Sequence, residues 1–123
     1  MFKIEDTTIH MTRGNDAVIG VIAENHDDTL YTFEPGDKLR FAVYEKGNYG
    51  NMLLEKFTNI DEETQEAKIA LSKNDTKIGE IINKPVNCWY EIELHKNGKV
   101  QTIMGHDDEG AKIFRLYPEG VDE

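Results

Sequence analysis

The sequence contains a single cysteine, Cys88, and no run of 18 or more apolar residues. One cysteine cannot form an internal disulfide, which is typical of a chain made in a reducing compartment. Without a long apolar run, we expect no membrane-spanning helix. The first ten residues have no apolar centre and include two acids, so we expect no signal peptide either.

Basic residues are few and scattered. The 123 residues include 14 Lys and Arg against 24 Asp and Glu, which gives a net charge of −10. An acidic chain repels polyanions, and no basic stripe offsets this, so we expect neither nucleic acid nor an anionic membrane as a partner. Five Phe, five Tyr and one Trp exclude a disordered acidic tail. The length predicts one domain over residues 1–123.

Residues with the spacing needed for catalysis are also scarce. Ser72 is the only serine and lies outside any Gly-x-Ser-x-Gly elbow. Cys88 has no adjacent Lys or Arg to lower its thiol pKa, so we interpret it as structural. Glu91 and Glu93 share the solvent face of a predicted strand, where neither carboxyl would become a general acid. We therefore predict that the chain is not an enzyme and needs no cofactor.

The triplet His-Asp-Asp occurs twice, at residues 26–28 and 106–108. Imidazole and carboxylate groups bind divalent cations, so a shared metal site is one interpretation. The other is that both triplets are solvated loops. If successive strands run antiparallel, the two loops lie at opposite ends of a sandwich and cannot share an ion. We therefore predict no metal site.

Alternation of apolar and polar residues dominates the chain and predicts seven well-patterned strands and one weak one. The strands are Thr8–Thr12, Ala17–Ala23, Lys38–Tyr44, Met52–Phe57 (the weak one), Ala67–Leu71, Trp89–Leu94, Val100–Met104 and Lys112–Tyr117. The only helix expected is one turn within Ser72–Gly79, capped by Asn74 or Asp75. Short strands joined by turns predict an all-β, antiparallel β-sandwich of about seven to eight strands. Its expected core is Ile9, Met11, Ile19, Val21, Leu39, Phe41, Val43, Ile69, Leu71, Tyr90, Ile92, Leu94 and Ile103.

Turn residues separate these strands. Asn97 and Gly98 lie between two strand patterns and predict a type I′ hairpin. Gly36, in the segment Glu34–Asp37, predicts a type II turn because that position needs a positive φ. Arg13–Asp16 predicts a turn of the same kind with an Asx-type hydrogen bond.

Trp89 is out of phase with the inward residues of its strand, so it lies outside or at a strand end. An exposed tryptophan often marks an interface, and Trp89, Tyr44 and Tyr49 are the candidate interface residues. The alternative is that Trp89 is covered by a terminal segment or by the Ser72–Asn87 connection. Tyr90 lies near the start of its predicted strand, where sandwich folds often have a corner tyrosine. We expect its hydroxyl to form a hydrogen bond with the backbone of the Asn74–Gly79 turn.

The apolar run Ala17–Ala23 has no proline or charge to protect an open edge, so we expect it to be central in a sheet or covered by another segment or subunit. Lys112 and Arg115 make the last strand the expected solvent edge. Acidic copies of the chain repel one another, so self-association would rest on apolar contact and be favoured by salt.

Several of these signals occur in an order that resembles a known family. They are Thr12-Arg13-Gly14-Asn15-Asp16, Gly36-Asp37 before Phe41-Ala42-Val43, Asp75-Thr76, Trp89-Tyr90-Glu91-Ile92 and Thr102-Ile103. Over most of residues 8–117 this resembles the N-terminal immunoglobulin-like domain of phage baseplate upper proteins and related prophage tail or neck proteins. The chain departs from the family pattern by the inserted Asn15, by Glu91 in place of Asp, and by a longer Glu80–Asn87 connection.

This resemblance implies an immunoglobulin-like fold and a non-catalytic structural adaptor of a virion, assembled in the bacterial cytoplasm. Its partners would be other virion structural proteins or further copies of itself. The alternative is an immunoglobulin-like carbohydrate- or protein-binding module of a bacterium.

Overall fold

A computed structural model of the chain describes residues 2–119, which form nine strands in two sheets. The strands are β1 (Phe2–Glu5), β2 (Thr8–Thr12), β3 (Ala17–Val21), β4 (Lys38–Glu45), β5 (Asn48–Asn59), β6 (Ala67–Leu71), β7 (Val86–Lys96), β8 (Lys99–Met104) and β9 (Lys112–Tyr117). The predicted all-β sandwich is confirmed.

Seven strands form the large sheet in the order β1-β2-β9-β7-β4-β5, with β8 also paired to β7. Along one edge, β7 pairs with β4 from Cys88 to His95. Along its other edge, β7 pairs first with β9 and then with β8. The prediction of a wholly antiparallel sheet is wrong in one place, because β2 runs parallel to β9. These two strands are far apart in the sequence, so no tight turn requires them to be antiparallel.

The small sheet consists of β3 and β6, which pair antiparallel with Ile19 opposite Ile69. Its inward residues pack against those of the large sheet in one core. Every predicted core residue is buried except Ile103, which is partly buried and packs against the core. The core also includes Phe33, which lies in the connection before β4, where no alternation marks it as buried.

Several strands differ from their predicted extent. The strand β3 ends at Val21 and not at Ala23, and β7 runs from Val86 to Lys96 and not only from Trp89 to Leu94. The weakly patterned strand Met52–Phe57 is the middle of β5, which pairs with β4 over most of its twelve residues. Its sequence pattern is weak because β5 is an edge strand with mostly exposed or half-buried side chains. The short strand β1 was not predicted, since it is four residues long and edges the sheet beyond β2.

The turn residues behave largely as predicted. Asn97 and Gly98 have φ values of 52° and 77°, as a type I′ hairpin requires. Gly36 has φ of 97°, and the Asp37 amide donates to the Glu34 carbonyl at 3.0 Å. Asp37 is buried, and its carboxylate accepts from the Tyr31 hydroxyl and pairs with Lys96. This carboxylate therefore links the turn before β4 to the end of β7.

Arg13 and Thr76 join the turn after β2 to the connection after β6. The Thr76 hydroxyl donates to the Asn15 carbonyl at 2.6 Å and accepts from the Gly14 amide at 3.0 Å. Arg13 donates to the Gly79 carbonyl at 3.0 Å. The turn closes between Thr12 and Asn15, one residue earlier than predicted.

A single helical turn follows β6, as predicted, but its cap is different. The Ser72 amide donates to the Asp75 carboxylate at 2.8 Å, and the Asp75 amide donates back to the Ser72 hydroxyl at 3.2 Å. Ser72 is therefore the N-cap, with Asp75 as its reciprocal partner, in place of Asn74 or Asp75.

The predicted contact of the Tyr90 hydroxyl is wrong. This group donates to the Thr7 carbonyl at 2.7 Å, in the turn between β1 and β2, and not to the backbone of residues 74–79. Tyr90 points into the core beside this turn, whereas Arg13 and Thr76 hold the connection after β6. Burial raises the pKa of Tyr90 to about 12, so the hydroxyl keeps its proton at neutral pH.

The strand β3 is not central, since within the described chain it pairs with β6 alone, which leaves coverage by another subunit as the remaining part of that prediction. The prediction that the last strand is a solvent edge is wrong. The strand β9 is not an edge but lies between β2 and β7, and Lys112 is buried beside Asp107. Strand order depends on contacts between distant segments, which the local pattern does not contain.

Replacing Phe41 by Ala should lower the free energy of unfolding by about 3–5 kcal/mol, because the ring is fully buried between the sheets. Phe57→Ala is the control, since Phe57 is 46% exposed and should cost less than about 1 kcal/mol. Urea denaturation measures both. Similar losses for the two variants would contradict the assignment of faces.

Tyr90→Phe should cost about 1 kcal/mol, because it removes the hydroxyl and leaves the Thr7 carbonyl without that donor. Hydrogen exchange should also become faster in the turn between β1 and β2. Unchanged exchange there, with unchanged stability, would show that the hydroxyl does not hold this turn.

Candidate functional site

Four aromatic side chains gather on the outer face of the large sheet, and we call them the aromatic cluster: Tyr44, Tyr49, Trp89 and His106. Pairing of β4 with β7 places Tyr44 directly beside Trp89. The β4–β5 pairing shifts register next to Tyr44, and Tyr49 packs against both rings, with centroids 5.1 Å from Tyr44 and 5.0 Å from Trp89. The loop after β8 adds His106, edge-on to Trp89 at 6.0 Å.

The members of the aromatic cluster differ in exposure. Tyr49 is 41% exposed, His106 is exposed, and Trp89 is half-buried. Tyr44 is only 7% exposed, because its ring lies under Tyr49. Of the three predicted interface residues, Tyr49 and Trp89 therefore reach the surface, whereas Tyr44 forms the floor of the cluster.

Arg40 connects the cluster to a group of carboxylates. Its guanidinium donates to Glu55 at 2.7 Å, to Glu91 at 3.0 Å and to Glu93 at 3.3 Å. The Tyr44 hydroxyl donates to Glu91 at 2.7 Å. Three carboxylates surround one guanidinium, so this part of the sheet has a net negative charge.

The ionisation states of the cluster follow from these contacts. Burial, together with the hydrogen bond to Glu91, raises the pKa of Tyr44. Burial and the charge of Glu91 also raise the pKa of Tyr49. Although burial disfavours the charged guanidinium, hydrogen bonds to Glu55, Tyr44 and Glu91 keep the pKa of Arg40 above its ordinary value. Both phenols are therefore neutral at neutral pH, and Arg40 is charged.

This arrangement suits the binding of a positively charged surface. Aromatic rings attract Lys and Arg side chains through cation–π contacts, and nearby carboxylates strengthen that attraction. Tryptophan and tyrosine are also the residues that most often dominate protein–protein binding energy. The chemistry of the cluster is therefore recognition through ring faces and negative charge.

The two His-Asp-Asp triplets do not meet, and the described residues include no group of three or more side chains suited to a metal ion. The aspartates Asp27 and Asp107 instead shape their own loops, since each accepts from the amide two residues later. The loop that contains His106 leaves the sheet beside the middle of β7. The expectation that this loop lies at an end of the sandwich is therefore wrong. This position brings His106 onto Trp89.

Cys88 is buried in the core. Burial, with the charge of Glu45, raises the pKa of its thiol, so it remains protonated at neutral pH. This environment is that of a structural cysteine.

Sequence reasoning named Trp89 from its strand phase and Tyr49 from its aromatic character alone, and it missed His106 and Arg40. Arg40 and Glu91 occupy outward positions of two strands that are distant in the sequence, so their contact depends on the β4–β7 register. The only available signal was that each alternates with buried apolar residues.

Within residues 2–119, no helix is long and apolar enough to cross a membrane. Comparison of the chain with protein-family models, with curated proteins and with solved structures gave no match.

Tyr49→Ala should expose Trp89, because the Tyr49 ring packs against the indole at 5.0 Å. Since the chain has one tryptophan, acrylamide quenching of its fluorescence reports this directly and should increase. The control Phe57→Ala removes another exposed ring of the same sheet and should leave quenching unchanged. Equal quenching in Tyr49→Ala and the original protein would show that Tyr49 does not cover Trp89.

Proposed function

We propose that the chain is a non-catalytic structural adaptor of a phage or prophage virion, in the baseplate, tail or neck, that acts by docking to other virion proteins. The observation that carries this proposal is the aromatic cluster, in which Tyr49 and Trp89 reach the surface of a well-packed sheet. A ring pair held by the sheet loses little conformational entropy when a partner covers it.

The residues of the family resemblance support a structural role. Arg13 and Thr76, from two separate motifs, hold the same pair of loops. Gly36 and Asp37 form the turn before β4, and Tyr90 ties the core to the first turn. Each of these residues has a contact that stabilises the fold, as expected for a domain whose work is to present surfaces.

The strand layout supports the immunoglobulin-like part of the proposal. The order β9-β7-β4-β5 matches the G, F, C and C′ strands of a variable-type immunoglobulin domain, and β3 with β6 matches strands B and E. In this correspondence, the aromatic cluster lies on the outer face of the GFC sheet.

Charge indicates the kind of partner surface. The cluster lies beside Glu91 and the other carboxylates around Arg40, in a chain of net charge −10. A partner patch containing Arg or Lys would place its cations over the rings of Tyr49 and Trp89. Copies of this chain repel one another at long range, so a heterologous virion protein is the favoured partner.

Sedimentation velocity at low and high salt, with the chain alone and mixed with the products of neighbouring genes, tests this function. We expect a complex with a tail or baseplate protein that is lost in Trp89→Ala and Tyr49→Ala but kept in the control Phe57→Ala. Tyr44→Ala is unsuitable because Tyr44 is buried. A gene neighbourhood without tail, tape-measure or portal genes, or binding unaffected by both cluster variants, would overturn the proposal.

The second candidate is a carbohydrate- or protein-binding module of a bacterium. The observation that favours the carbohydrate form is the same pair of surface rings beside hydrogen-bonding carboxylates, since aromatic rings also stack on sugar faces. A glycan array distinguishes the two: binding abolished by Trp89→Ala would favour the carbohydrate module, and an array without hits would exclude it.

A further inference from the structure

The small sheet has an open edge along β3. This strand pairs with β6 on one side only, and no other strand of the described chain pairs with it. In an antiparallel pair, alternate residues direct their N–H and C=O groups away from the partner, so part of the β3 backbone is available for a further strand. The outward side chains Val18 and Ile22 are 54% and 55% exposed. An apolar strand with a free edge is a template for strand addition.

An apolar cleft lies beneath this edge, between the two sheets. Its volume is about 150 Å³. Cavities of about this size hold a benzene ring in other proteins. The apolar lining comes from β1, β2, β3, β7 and β8: Ile4, Ile9, Ile19, Val21, Ile92 and Met104. The cleft can therefore receive an inward side chain, aromatic or large aliphatic, from a strand added to β3.

The cleft continues into a larger open groove. Ile22 and Ile103 line both spaces, and the groove has a volume of about 1080 Å³. It runs between the segment after β3 and the strand β8, where Tyr31 and Thr102 contribute to its wall. An extended segment lying along β3 would thus find continuous space beyond the end of the strand.

An acidic residue lies at each end of the apolar run that includes β3. Asp16 precedes the run Ala17–Ala23 and Glu24 follows it, and both side chains are exposed. Asp6 lines the cleft, and Asp27 lines the groove together with Glu24. Among the described residues that line these two spaces, there is no Lys or Arg. The edge is therefore complementary to an apolar segment with a basic residue at each end.

A second copy of the chain fits this edge poorly. Two β3 strands paired antiparallel about Gly20 would place Val18 opposite Ile22, which is favourable. The same register would place Asp16 opposite Glu24 at both ends, and like charges directly opposite are destabilising. The net charge of −10 on each copy adds repulsion at long range. Charge thus favours a partner of different sequence.

We propose that the β3 edge binds an extended segment of another protein by strand addition, and that this segment is apolar in its centre with Lys or Arg at both ends. The backbone of β3 supplies hydrogen bonds, the cleft accepts one inward side chain, and Asp16 and Glu24 select the basic ends. This surface belongs to the small sheet and does not involve the aromatic cluster, so it stands independently of the docking site proposed above.

A synthetic peptide tests the proposal directly. The sequence Lys-Val-Thr-Phe-Thr-Val-Thr-Val-Lys is long enough to pair antiparallel with β3 and to bring its two lysines beside Glu24 and Asp16, with its apolar residues inward. We expect it to bind the whole protein and to slow hydrogen exchange of the amides in β3, Ala17–Val21. The matched peptide with Glu in place of both Lys should bind roughly tenfold more weakly, because two exposed ion pairs become repulsive.

A charge-reversed protein is the second arm of the experiment. The variant Asp16→Lys with Glu24→Lys changes only exposed side chains and should invert the preference, so that the Glu-ended peptide binds more tightly. Binding of neither peptide, an order that does not invert, or exchange protection at Tyr49 and Trp89 in place of β3 would overturn the proposal. Protection of β3 that increases with protein concentration alone would assign the edge to a second copy and would equally overturn it.

Discussion

The division of one edge of β7 between two strands is the constraint on which the rest of the structure depends. Because β8 pairs with the second half of β7 and β9 with the first half, the chain must leave the sheet edge and return to it between them. Gly105 lies at this departure, where a Cβ atom would approach the Thr102 side chain to 2.8 Å. The loop that results carries His106 onto Trp89 and so completes the aromatic cluster.

The two sheets share one core, and polar ties between distant segments hold the connections around it. Arg13 and Thr76 connect the turn after β2 to the connection after β6, and Tyr90 connects β7 to the turn before β2. These groups are buried, and a buried polar group is costly unless it is hydrogen-bonded. The ties therefore select one arrangement of loops as well as adding stability.

Acidic residues lie beside both of the candidate binding surfaces. At the aromatic cluster, carboxylates exceed guanidinium groups around Arg40, and at the β3 edge, Asp16 and Glu24 flank an apolar strand. The first surface belongs to the large sheet and the second to the small sheet. In the two proposals above, these surfaces bind different basic partners, so one small domain would join two proteins. Repulsion between copies would at the same time disfavour self-assembly.

The sequence by itself determined eight of the nine strands, their buried faces and the hairpin at Asn97 and Gly98, because period-two burial and positive-φ turns are local properties. It also indicated that Trp89 faces outward. Only the tertiary structure decided that β3 is an edge, that β9 is internal, that Tyr90 reaches Thr7, and that Arg40 gathers three carboxylates. These features depend on which distant strands pair and in what register. Local alternation does not encode strand order, since the same pattern of faces suits several arrangements of strands in a sheet.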